Sequence, residues 1–561
     1  MRIVILGLDG ATFDLILPGV ERGELPGFAH LMREGAWGVL RSTVPADSPP
    51  AWTTFATGMN PGRHGVFGFM ARRPRSYDYE IGSSLCCLAP TLWERASSRS
   101  WRVGVINVPF TYPPRPVAGF LVAGMMTPDL KSHFTYPRGL RDALLRAIPN
   151  YSIGHGLGRG RRGDPRAILV RDFATTITAR EQAMQWLVGK YSPDLLICVF
   201  TALDRLQHFL WADMDERHPN RDPSSPPAYR EAITSAYRQL DGVIARTLAA
   251  ADGETLVVVL SDHGFEAVAR SFFVNAWLAE RGWLHLTGRR GEPGAWASGA
   301  ARLARHAFGF LPGGEMLRER LRARRLISRA FVSAIDWSRT RAWFGLDRGL
   351  WLNVAGREPL GTVKSGEEYE QLRSQLIADL ESLEDPETGY RVVRKVHRRE
   401  TLYRGEALLR LPDLIIEPAR RAEDPRGRFV LSERLELGGP PRFVGPSAPL
   451  SGHHTPEGIV LLWGRGVPPD TRLMGSEIGD IAPTVVQAMG LPNGEEMDGK
   501  PLFNVGKRDT PVVPPPAGAI HELPFSPDRS SGPAIPEEAT QMSEDDRRLV
   551  EQQLKNLGYL D

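Results

Sequence analysis

Acidic and imidazole side chains follow several strand-like segments of this 561-residue chain. Asp9 comes directly after the apolar run Ile3 to Leu8, and Asp262 with His263 closes the apolar run in LVVVLSDHG. Parallel strands present their carboxyl ends at one edge of a sheet, so these side chains are expected to lie near one another. Taken singly, each also has an ordinary interpretation, because Asp9 suits a turn or a helix N-cap and Asp262-His263 suits a structural turn.

Two further segments supply the same chemical types. Asp204 and His208 stand four residues apart in FTALDRLQHFLW, a spacing that places them on one helical face and that can also arise by coincidence. His453 and His454 lie in a predicted loop before another apolar run. Together, three Asp and several His form an oxygen and nitrogen ligand set suited to two divalent cations, Zn²⁺ or Mn²⁺. Without cations, burying these carboxylates together would be strongly repulsive.

Ser48, in VPADSPPAWTTFATGMNPGRHG, is the candidate nucleophile. The Pro-Pro pair after it is predicted to block helix entry before a helix over Trp52 to Thr57. A hydroxyl near a helix start meets free N–H groups and the positive end of the dipole, and a bound metal would lower its pKa. Ser48 alone also suits an ordinary N-cap. Arg205 suits either a phosphate oxygen or a structural ion pair, and His64 suits a structural role.

Short β-branched runs that are apolar on both faces predict the elements that position these residues. Such runs are typical of central parallel strands covered by helices on both sides. Apolar spacing over Ala179 to Tyr191 and Tyr229 to Ala250 predicts crossover helices. The predicted fold is therefore an α/β protein, a three-layer α/β/α sandwich with a mainly parallel central sheet. The predicted strands are Ile3 to Leu8, Val103 to Val108, Leu195 to Phe200, Leu256 to Leu260 and Ile459 to Trp463.

Residues 271–340 interrupt this alternation with Gly-rich joints and an Arg-rich helical stretch from Met316 to Phe331. They predict an inserted cap between two parts of a catalytic core, 1–270 and 341–505. The basic helix suits a solvated face, or contact with anionic lipid or a phosphorylated substrate. Residues 506–561 predict a Pro-rich linker followed by a C-terminal helix that starts at Ser543.

The composition argues against a nucleic-acid partner, a disulfide-stabilised fold and a membrane-spanning segment. Lys plus Arg number 69 against 66 for Asp plus Glu, a net charge of +3, which is too balanced to indicate a nucleic-acid polymer as partner. Three cysteines cannot build a disulfide framework, which favours a reducing compartment. No apolar stretch approaches the roughly 20 residues of a membrane span, and the first apolar run is too short for a signal peptide. We therefore expect a cytoplasmic protein.

As an ordered set, the candidate residues resemble the alkaline phosphatase superfamily, in its type I phosphodiesterase and nucleotide pyrophosphatase branch. The bacterial predicted phosphohydrolase/phosphomutase subgroup is the most similar, and the likeness covers most of residues 1–505 and the last helix. The residues that carry it are Asp9, the Ser48 segment ending in TGMNPGRHG, Asp204 with His208, Asp262-His263 and a late His. Further similar stretches are 336–363, LPDLII at 411–416, 478–492 and the terminal LGYLD.

The resemblance implies a metal-dependent phosphoric ester hydrolase, a phosphodiesterase or phosphomonoesterase, that acts on a small-molecule phosphate ester through a phosphorylated serine. It implies two divalent cations, with Zn²⁺ expected and Mn²⁺ as the alternative. His454 is chosen over His453 because the family's final His precedes a polar or basic residue and a short loop to Gly. The implied ligands of one ion are Asp204, His208 and His454, and those of the other are Asp9, Asp262 and His263 together with Ser48, the implied nucleophile.

Two departures from the family leave the substrate open. Nucleotide pyrophosphatases generally carry Thr at the nucleophile and Asn three residues later, where this chain has Ser48 and Ala51. Sulfatase activity is not expected, because Trp52 occupies the position at which the sulfatase sequence requires Arg. The alternatives are a phosphomutase that uses the same site and a non-catalytic binding protein that keeps the metals for stability.

Overall fold

The computed structural model describes residues 3–154, 164–287, 327–420, 427–432, 443–444, 450–491, 496–503 and 542–556. Most of the predicted cap lies outside these ranges, including residues 316–326 of its Arg-rich stretch, and so does the Pro-rich segment. The cap boundaries therefore stay a prediction. The predicted C-terminal helix is present, and the Ser543 hydroxyl accepts the N–H of Asp546 at 3.0 Å. None of the helices in the described ranges is both long and apolar enough to span a bilayer.

Nineteen strands are present in the described ranges. They are β1 Ile3–Leu8, β2 Ala36–Arg41, β3 Met70–Arg72, β4 Tyr79–Ile81, β5 Val103–Ile106, β6 Gly119–Val122, β7 Thr135–Tyr136, β8 Leu195–Phe200, β9 Leu256–Leu260, β10 Gly264–Phe273, β11 Ala342–Phe344, β12 Leu350–Leu352, β13 Val393–Arg398, β14 Leu414–Pro418, β15 Arg428–Ser432, β16 Phe443–Val444, β17 Gly452–Thr455, β18 Glu457–Gly464 and β19 Thr471–Glu477.

The described helices connect these strands. They are α1 Phe13–Glu21, α2 Pro26–Glu34, α3 Ser48–Thr57, α4 Pro61–His64, α5 Leu92–Ser97, α6 Leu140–Ala147, α7 Pro165–Tyr191, α8 Ala202–Met214, α9 Pro227–Ala250, α10 Val274–Glu280, α11 Ile327–Ala334, α12 Glu367–Glu381, α13 Arg399–Leu402, α14 Ile481–Ala488 and α15 Glu544–Asn556.

The central sheet has nine strands in the order β19-β2-β18-β9-β1-β8-β5-β6-β7. Only β18 and β7 run against the other seven. Strands β1, β8 and β9 are buried at every position, as strands covered on both faces must be. Helices α2, α7, α8 and α9 pack together, and α3, α5 and α14 form a second group. The protein is thus a three-layer α/β/α sandwich, which confirms the predicted fold class.

Two details of the strand prediction were wrong. The run Ile459 to Trp463 was expected to be a parallel strand, but it lies in β18, which pairs antiparallel with both β9 and β2. A run buried on both faces has the same composition in either direction, so burial alone cannot determine the direction. The strand predicted over Val103 to Val108 ends earlier, at Ile106, and the next residue, Asn107, has a positive φ of 58°.

A close contact fixes α3 over the central sheet. A Cβ atom built on Gly7, in β1, would lie 2.5 Å from the ring of Trp52 in α3. Glycine is therefore required at position 7 for the indole to pack directly on the strand. This contact places the helix that begins at Ser48 beside the carboxyl end of β1.

Arg180 is a buried cation that stabilises the end of β8. Its guanidinium donates to the carbonyls of Val199 at 3.0 Å, Ser152 at 3.1 Å and Ile153 at 2.8 Å. The variant Arg180→Met keeps the volume but leaves buried acceptors without a donor, so we expect a loss of about 3 kcal/mol in unfolding free energy. Urea denaturation measures it, with Arg171→Met as control because that side chain, on the same helix, is 62% exposed. Equal losses in both variants would contradict this role.

Candidate functional site

The three predicted carboxylates lie at the carboxyl ends of three neighbouring strands. Asp9 follows β1, Asp262 follows β9, and Asp204 stands in the first turn of α8, just after β8. The strands end together, because Leu8 pairs with Phe200 in the sheet register and Gly7 with Leu260. All three side chains are buried. The structure therefore places them at one edge of the sheet, as expected from their positions after strand-like runs.

His454 reaches this edge from a strand and not from the predicted loop. It lies in β17, which pairs antiparallel with β10 so that His454 is opposite Phe265. Its Nε2 is 3.0 Å from Nε2 of His208 and 3.1 Å from Oδ1 of Asp204. Its ring also stacks on that of His263, with centroids 3.6 Å apart. The strand pairing thus joins a late segment of the chain to the carboxylate cluster.

Ser48 is the first residue of α3, and Asp47 is its N-cap, so the N-cap interpretation of Ser48 is wrong. The Pro-Pro pair does not block helix entry, since proline is tolerated in a first turn, where its missing N–H needs no partner. The Ser48 hydroxyl lies 3.4 Å from Nε2 of His263. One turn later, Nε1 of Trp52 donates to Oδ2 of Asp9 at 3.3 Å. Ser48 therefore borders the cluster.

The start of α3 offers fewer amide donors than expected. Pro49 and Pro50 have no N–H, and the N–H of Ala51 already donates to the carbonyl of Asp47 at 3.1 Å. Within the first turn, only the N–H of Ser48 remains for a bound anion. The start of α3 therefore offers a phosphoryl oxygen one free amide, and other groups must provide most of that interaction.

The donor atoms form two overlapping groups of three, and within each group all atoms lie within 4.8 Å of one another. One group is the predicted set Asp204, His208 and His454. The other contains Asp9 and His263 together with Asp204, so Asp204 belongs to both. Asp262, the third member of the predicted second set, has its Oδ2 3.3 Å from Nε2 of His263. The six predicted carboxylate and imidazole ligands thus lie in one cluster.

The orientation of the three imidazoles suits a cation. In each ring, Nδ1 lies close to a backbone carbonyl, which can only accept, so Nδ1 carries a proton and, in the neutral ring, Nε2 presents a lone pair. Those lone pairs face one another and the carboxylates, an arrangement that is repulsive unless a cation lies between them. The Nδ1 to oxygen distances are 2.9 Å for His208 to Gly452, 3.1 Å for His263 to Gly264 and 2.9 Å for His454 to Ala46.

The carboxylates, like the imidazoles, lie in an environment that nearby positive charge would stabilise. The buried atoms Oδ1 of Asp9 and Oδ2 of Asp262 make no hydrogen bond within the described part of the chain. Burial, with repulsion from Asp204, raises the pKa of Asp9 to about 7. Burial and repulsion from Asp9 raise the pKa of Asp262 well above its usual range. Burial also lowers the pKa values of His208 and His263, which keeps the rings neutral. This donor chemistry fits divalent cations.

The metal-free protein is expected to lose stability through Asp9 as the pH rises. Its folded-state pKa of about 7 exceeds its ordinary value of 3.8. Asp9 therefore supports the fold fully below about pH 4, and that contribution is lost as the pH rises through about 7. Relative to Asp9→Asn, the wild type should lose about 4 kcal/mol in unfolding free energy between pH 4 and pH 8.

Urea unfolding in the presence of a chelator measures this difference. The control is Asp545→Asn, since that side chain is 90% exposed and should give no pH-dependent difference from the wild type. A wild-type profile parallel to that of Asp9→Asn at every pH would show that Asp9 is not in a repulsive cluster.

Asp47 is a residue of the site that the sequence analysis missed. Its Oδ1 is 3.4 Å from Nδ1 of His454, on the side of the ring away from Asp204. Although burial opposes it, contact with His454 and the charge of Arg348 lower the pKa of Asp47 to about 2. A carboxylate behind a ligating imidazole fixes the orientation of the ring. The adjacency of Asp47 to Ser48 was the only signal in the sequence.

The other polar residues discussed for this site, Arg205, His64 and His453, have contacts unlike those of the predicted ligands. Arg205 has Nη1 3.5 Å from Oδ2 of Asp204, which is the geometry of an ion pair. His64 lies apart from the cluster, where its Nε2 contacts the hydroxyl of Thr54 at 3.0 Å. His453 is turned away, with Nε2 3.1 Å from Nη1 of Arg348.

Comparison with known proteins gives one family. The model of the type I phosphodiesterase/nucleotide pyrophosphatase family matches residues 3–423, which contain every candidate residue except His453 and His454. The structure is similar to phosphonoacetate hydrolase from Sinorhizobium meliloti in complex with phosphonoformate, at 14% identity and a TM-score of 0.48, covering 86% of this chain and 94% of that one. It is also similar to an inactive variant of murine ectonucleotide pyrophosphatase/phosphodiesterase 5 in complex with AMP, at 11% identity and a TM-score of 0.47, covering 88% and 96%. No curated protein matches the sequence significantly.

Proposed function

Because the chain belongs to the type I phosphodiesterase/nucleotide pyrophosphatase family, a family of phosphoric ester hydrolases, we propose that it cleaves phosphate esters with Ser48 as nucleophile beside two divalent cations. The observation that carries this proposal is the convergence of three inward-facing Nε2 atoms, three buried carboxylates and the Ser48 hydroxyl. Zn²⁺ is the expected metal, with Mn²⁺ as the alternative.

In this proposal, Asp204, His208 and His454 hold one cation. Asp9, Asp262 and His263 hold the other, next to Ser48. Asp204 belongs to both groups of donor atoms, so in this proposal it restrains the geometry of both metal sites. The bound cations would supply positive charge that lowers the pKa of a nearby hydroxyl and offsets the charge of the phosphoryl oxygens.

Ser48 then acts in two steps. Its Oγ attacks phosphorus, the P–O bond to the leaving group breaks, and the proton lost from Oγ is balanced by the one that the leaving oxygen takes up, which gives a phosphoserine ester and the free alcohol. Water then attacks phosphorus in this ester, the bond between phosphorus and Oγ breaks, and the proton released by the water is balanced by the one that Oγ takes up. The backbone at Ser48 is held by α3, whose Trp52 packs on Gly7 and hydrogen-bonds Asp9. The nucleophile is thus fixed relative to one of the proposed metal ligands.

Hydrolysis of two chromogenic esters tests this function. The purified protein, loaded with Zn²⁺ or Mn²⁺, is assayed for 4-nitrophenol release from bis(4-nitrophenyl) phosphate and from 4-nitrophenyl phosphate. Turnover of the diester alone, the monoester alone or both supports the proposal and assigns the ester class. Absence of turnover of both esters by folded protein of verified metal content would overturn it.

Asp47→Asn is expected to lower kcat/KM by about 10- to 100-fold and to weaken metal binding. The substitution keeps the shape of the side chain but removes the negative charge that faces Nδ1 of His454 at 3.4 Å. Steady-state kinetics and Zn²⁺ competition against a chromogenic chelator measure the two effects. Asp545→Asn is again the control for loss of a carboxylate. If Asp47→Asn matched that control in both measurements, Asp47 would have no part in positioning His454.

A further inference from the structure

The turn that carries Asp9 joins β1 to α1, and its shape determines where the Asp9 carboxylate lies. It is closed by a hydrogen bond from the N–H of Ala11 to the carbonyl of Leu8 at 2.9 Å. Gly10 stands at the third position of this turn with a φ of 75°, a conformation that favours glycine. Asp9 stands at the second position. Any displacement of the turn would therefore move this predicted metal ligand.

Helix α8 holds the turn with two hydrogen bonds from one of its faces. Asp204 and Gln207 are three residues apart, which places them on the same side of the helix. The N–H of Asp204 donates to the carbonyl of Asp9 at 3.1 Å. Nε2 of Gln207, a buried side chain, donates to the carbonyl of Gly10 at 2.8 Å. The helix that supplies Asp204 to the cluster thus also restrains the turn that supplies Asp9.

Packing around Gly10 leaves the turn little room to move. A Cβ atom built on Gly10 would lie 2.9 Å from the ring of Phe265 and 3.1 Å from Nε2 of Gln207. Phe265 is the residue opposite His454 in the pairing of β10 with β17. The turn is therefore confined between the Gln207 amide and an aromatic ring that belongs to the wall of the site.

Tyr237, on α9, fixes the orientation of the Gln207 amide. Its hydroxyl donates to Oε1 of Gln207 at 3.3 Å and accepts the N–H of Thr12 at 3.0 Å. Because a side-chain amide accepts at Oε1 and donates at Nε2, this contact leaves Nε2 for the carbonyl of Gly10. Both side chains are buried, where an unmatched donor or acceptor is unfavourable. Tyr237 thus acts on the turn directly at Thr12 and, through Gln207, at Gly10.

The same turn also holds Asp262. The N–H of Gly10 donates to Oδ1 of Asp262 at 3.3 Å. The other oxygen, Oδ2, lies 3.3 Å from Nε2 of His263 and makes no hydrogen bond to any residue that the structure describes. Losing the bond from Gly10 would free the carboxylate to rotate. The turn therefore orients two predicted ligands, Asp9 through its backbone and Asp262 through this hydrogen bond.

We propose that Gln207 and Tyr237 are positioning residues of one of the two cation sites. They hold the turn after β1 so that Asp9 and Asp262 present their carboxylates to the same ion, beside His263. This inference rests on the proposed function and deepens it by assigning residues that act through the backbone of the turn. Replacing a group that orients metal ligands typically weakens metal binding by about 10- to 100-fold.

The other predicted ligand set is oriented independently of this turn. Nδ1 of His208 and Nδ1 of His454 each lie 2.9 Å from a backbone carbonyl, that of Gly452 and that of Ala46 respectively. Neither carbonyl belongs to the turn after β1. Loss of the Tyr237 hydroxyl should therefore weaken mainly one of the two cation sites.

Zn²⁺ titration of Tyr237→Phe tests this inference, because the substitution removes the hydroxyl and keeps the ring. Competition against a chromogenic chelator measures both dissociation constants. We expect one constant to rise by about tenfold or more and the other to change by less than about threefold. Tyr151→Phe is the matched control and should change neither constant. Tyr151 is also a buried phenol whose hydroxyl donates to a side-chain amide oxygen, that of Asn107 after β5.

Two further variants assign the affected site. Gln207→Met keeps the length of the side chain but removes the donor to Gly10, so the same constant should rise by at least as much. Asp262→Asn should leave one Zn²⁺ bound, in the set that contains His208 and His454. Adding Tyr237→Phe to Asp262→Asn should then change that remaining constant by less than about threefold. A tenfold rise there would show that Tyr237 acts on the whole fold and would overturn the inference.

The other outcomes separate this inference from the proposed function. Equal constants in Tyr237→Phe and Tyr151→Phe, or a parallel rise of both constants in Tyr237→Phe, would overturn the positioning role. Two bound equivalents with the expected split, but without nitrophenol release from either chromogenic ester, would overturn the hydrolase function and leave the positioning role supported. Absence of Zn²⁺ binding by folded wild type would overturn the metal sites and this inference together.

Discussion

Replacing Ser48 by alanine is expected to lower kcat for aryl phosphate esters by about 10⁴-fold or more. The change removes the only oxygen that the proposal assigns to the attack on phosphorus, 3.4 Å from His263. Six other donors remain, so metal content and fold should be retained. Stopped-flow and long-incubation nitrophenol assays cover the required range, and metal analysis with circular dichroism verifies the protein.

Two further variants test whether the loss of turnover is specific to the Ser48 hydroxyl. Ser48→Thr keeps a nucleophilic hydroxyl and should retain measurable turnover. Thr57→Ala removes a buried hydroxyl from the last turn of the same helix, where it donates to the carbonyl of Thr53, and should change kcat by less than about threefold. Turnover by Ser48→Ala within tenfold of the wild type would exclude Ser48 as nucleophile. It would favour direct attack by water.

Removal of divalent cations is expected to abolish hydrolysis, with a loss of at least about 10³-fold that two equivalents of metal per chain restore. Asp204→Asn should prevent this recovery, because Asp204 belongs to both donor groups and one substitution disturbs both. The measurements are bound metal per chain by mass spectrometry and the rise in melting temperature on adding Zn²⁺.

Asp213→Asn is the matched control for Asp204→Asn. Asp213 is a buried carboxylate on the same helix, α8, but it contacts Arg166 and the hydroxyl of Ser225 instead of the cluster. It should bind two equivalents of metal and respond to Zn²⁺ as the wild type does. Full metal content in Asp204→Asn would contradict the proposed ligand sets.

Much of the site could be predicted because its residues directly follow buried strands. Asp9 and Asp262 each come within two residues of a strand end, and Asp204 stands four residues after one, so sheet register alone aligns them. The strand sequences predicted the sheet for the same reason, since their burial on both faces leaves a continuous apolar run. A residue could be placed from the local sequence wherever its distance from a strand end determines where it lies in the fold.

The remaining features depend on partners distant in the sequence. The strand that carries His454 forms only by pairing with β10, almost 190 residues earlier, so a short polar segment was expected to be a loop. Arg348 and Arg428 meet Asp47 through tertiary packing that no local pattern encodes. The effect of the Pro-Pro pair was predicted wrongly, because proline interrupts a helix at interior positions but is tolerated in the first turn.

The measurement that tests the account most directly is anomalous diffraction at the zinc edge from crystals of the Zn²⁺-loaded protein. We predict two peaks about 3.5 to 4 Å apart, one in contact with Asp204, His208 and His454 and the other with Asp9, Asp262 and His263 next to Ser48 Oγ. Peaks elsewhere in the molecule, or a cluster that binds no zinc while its carboxylates and imidazoles keep their positions, would contradict it.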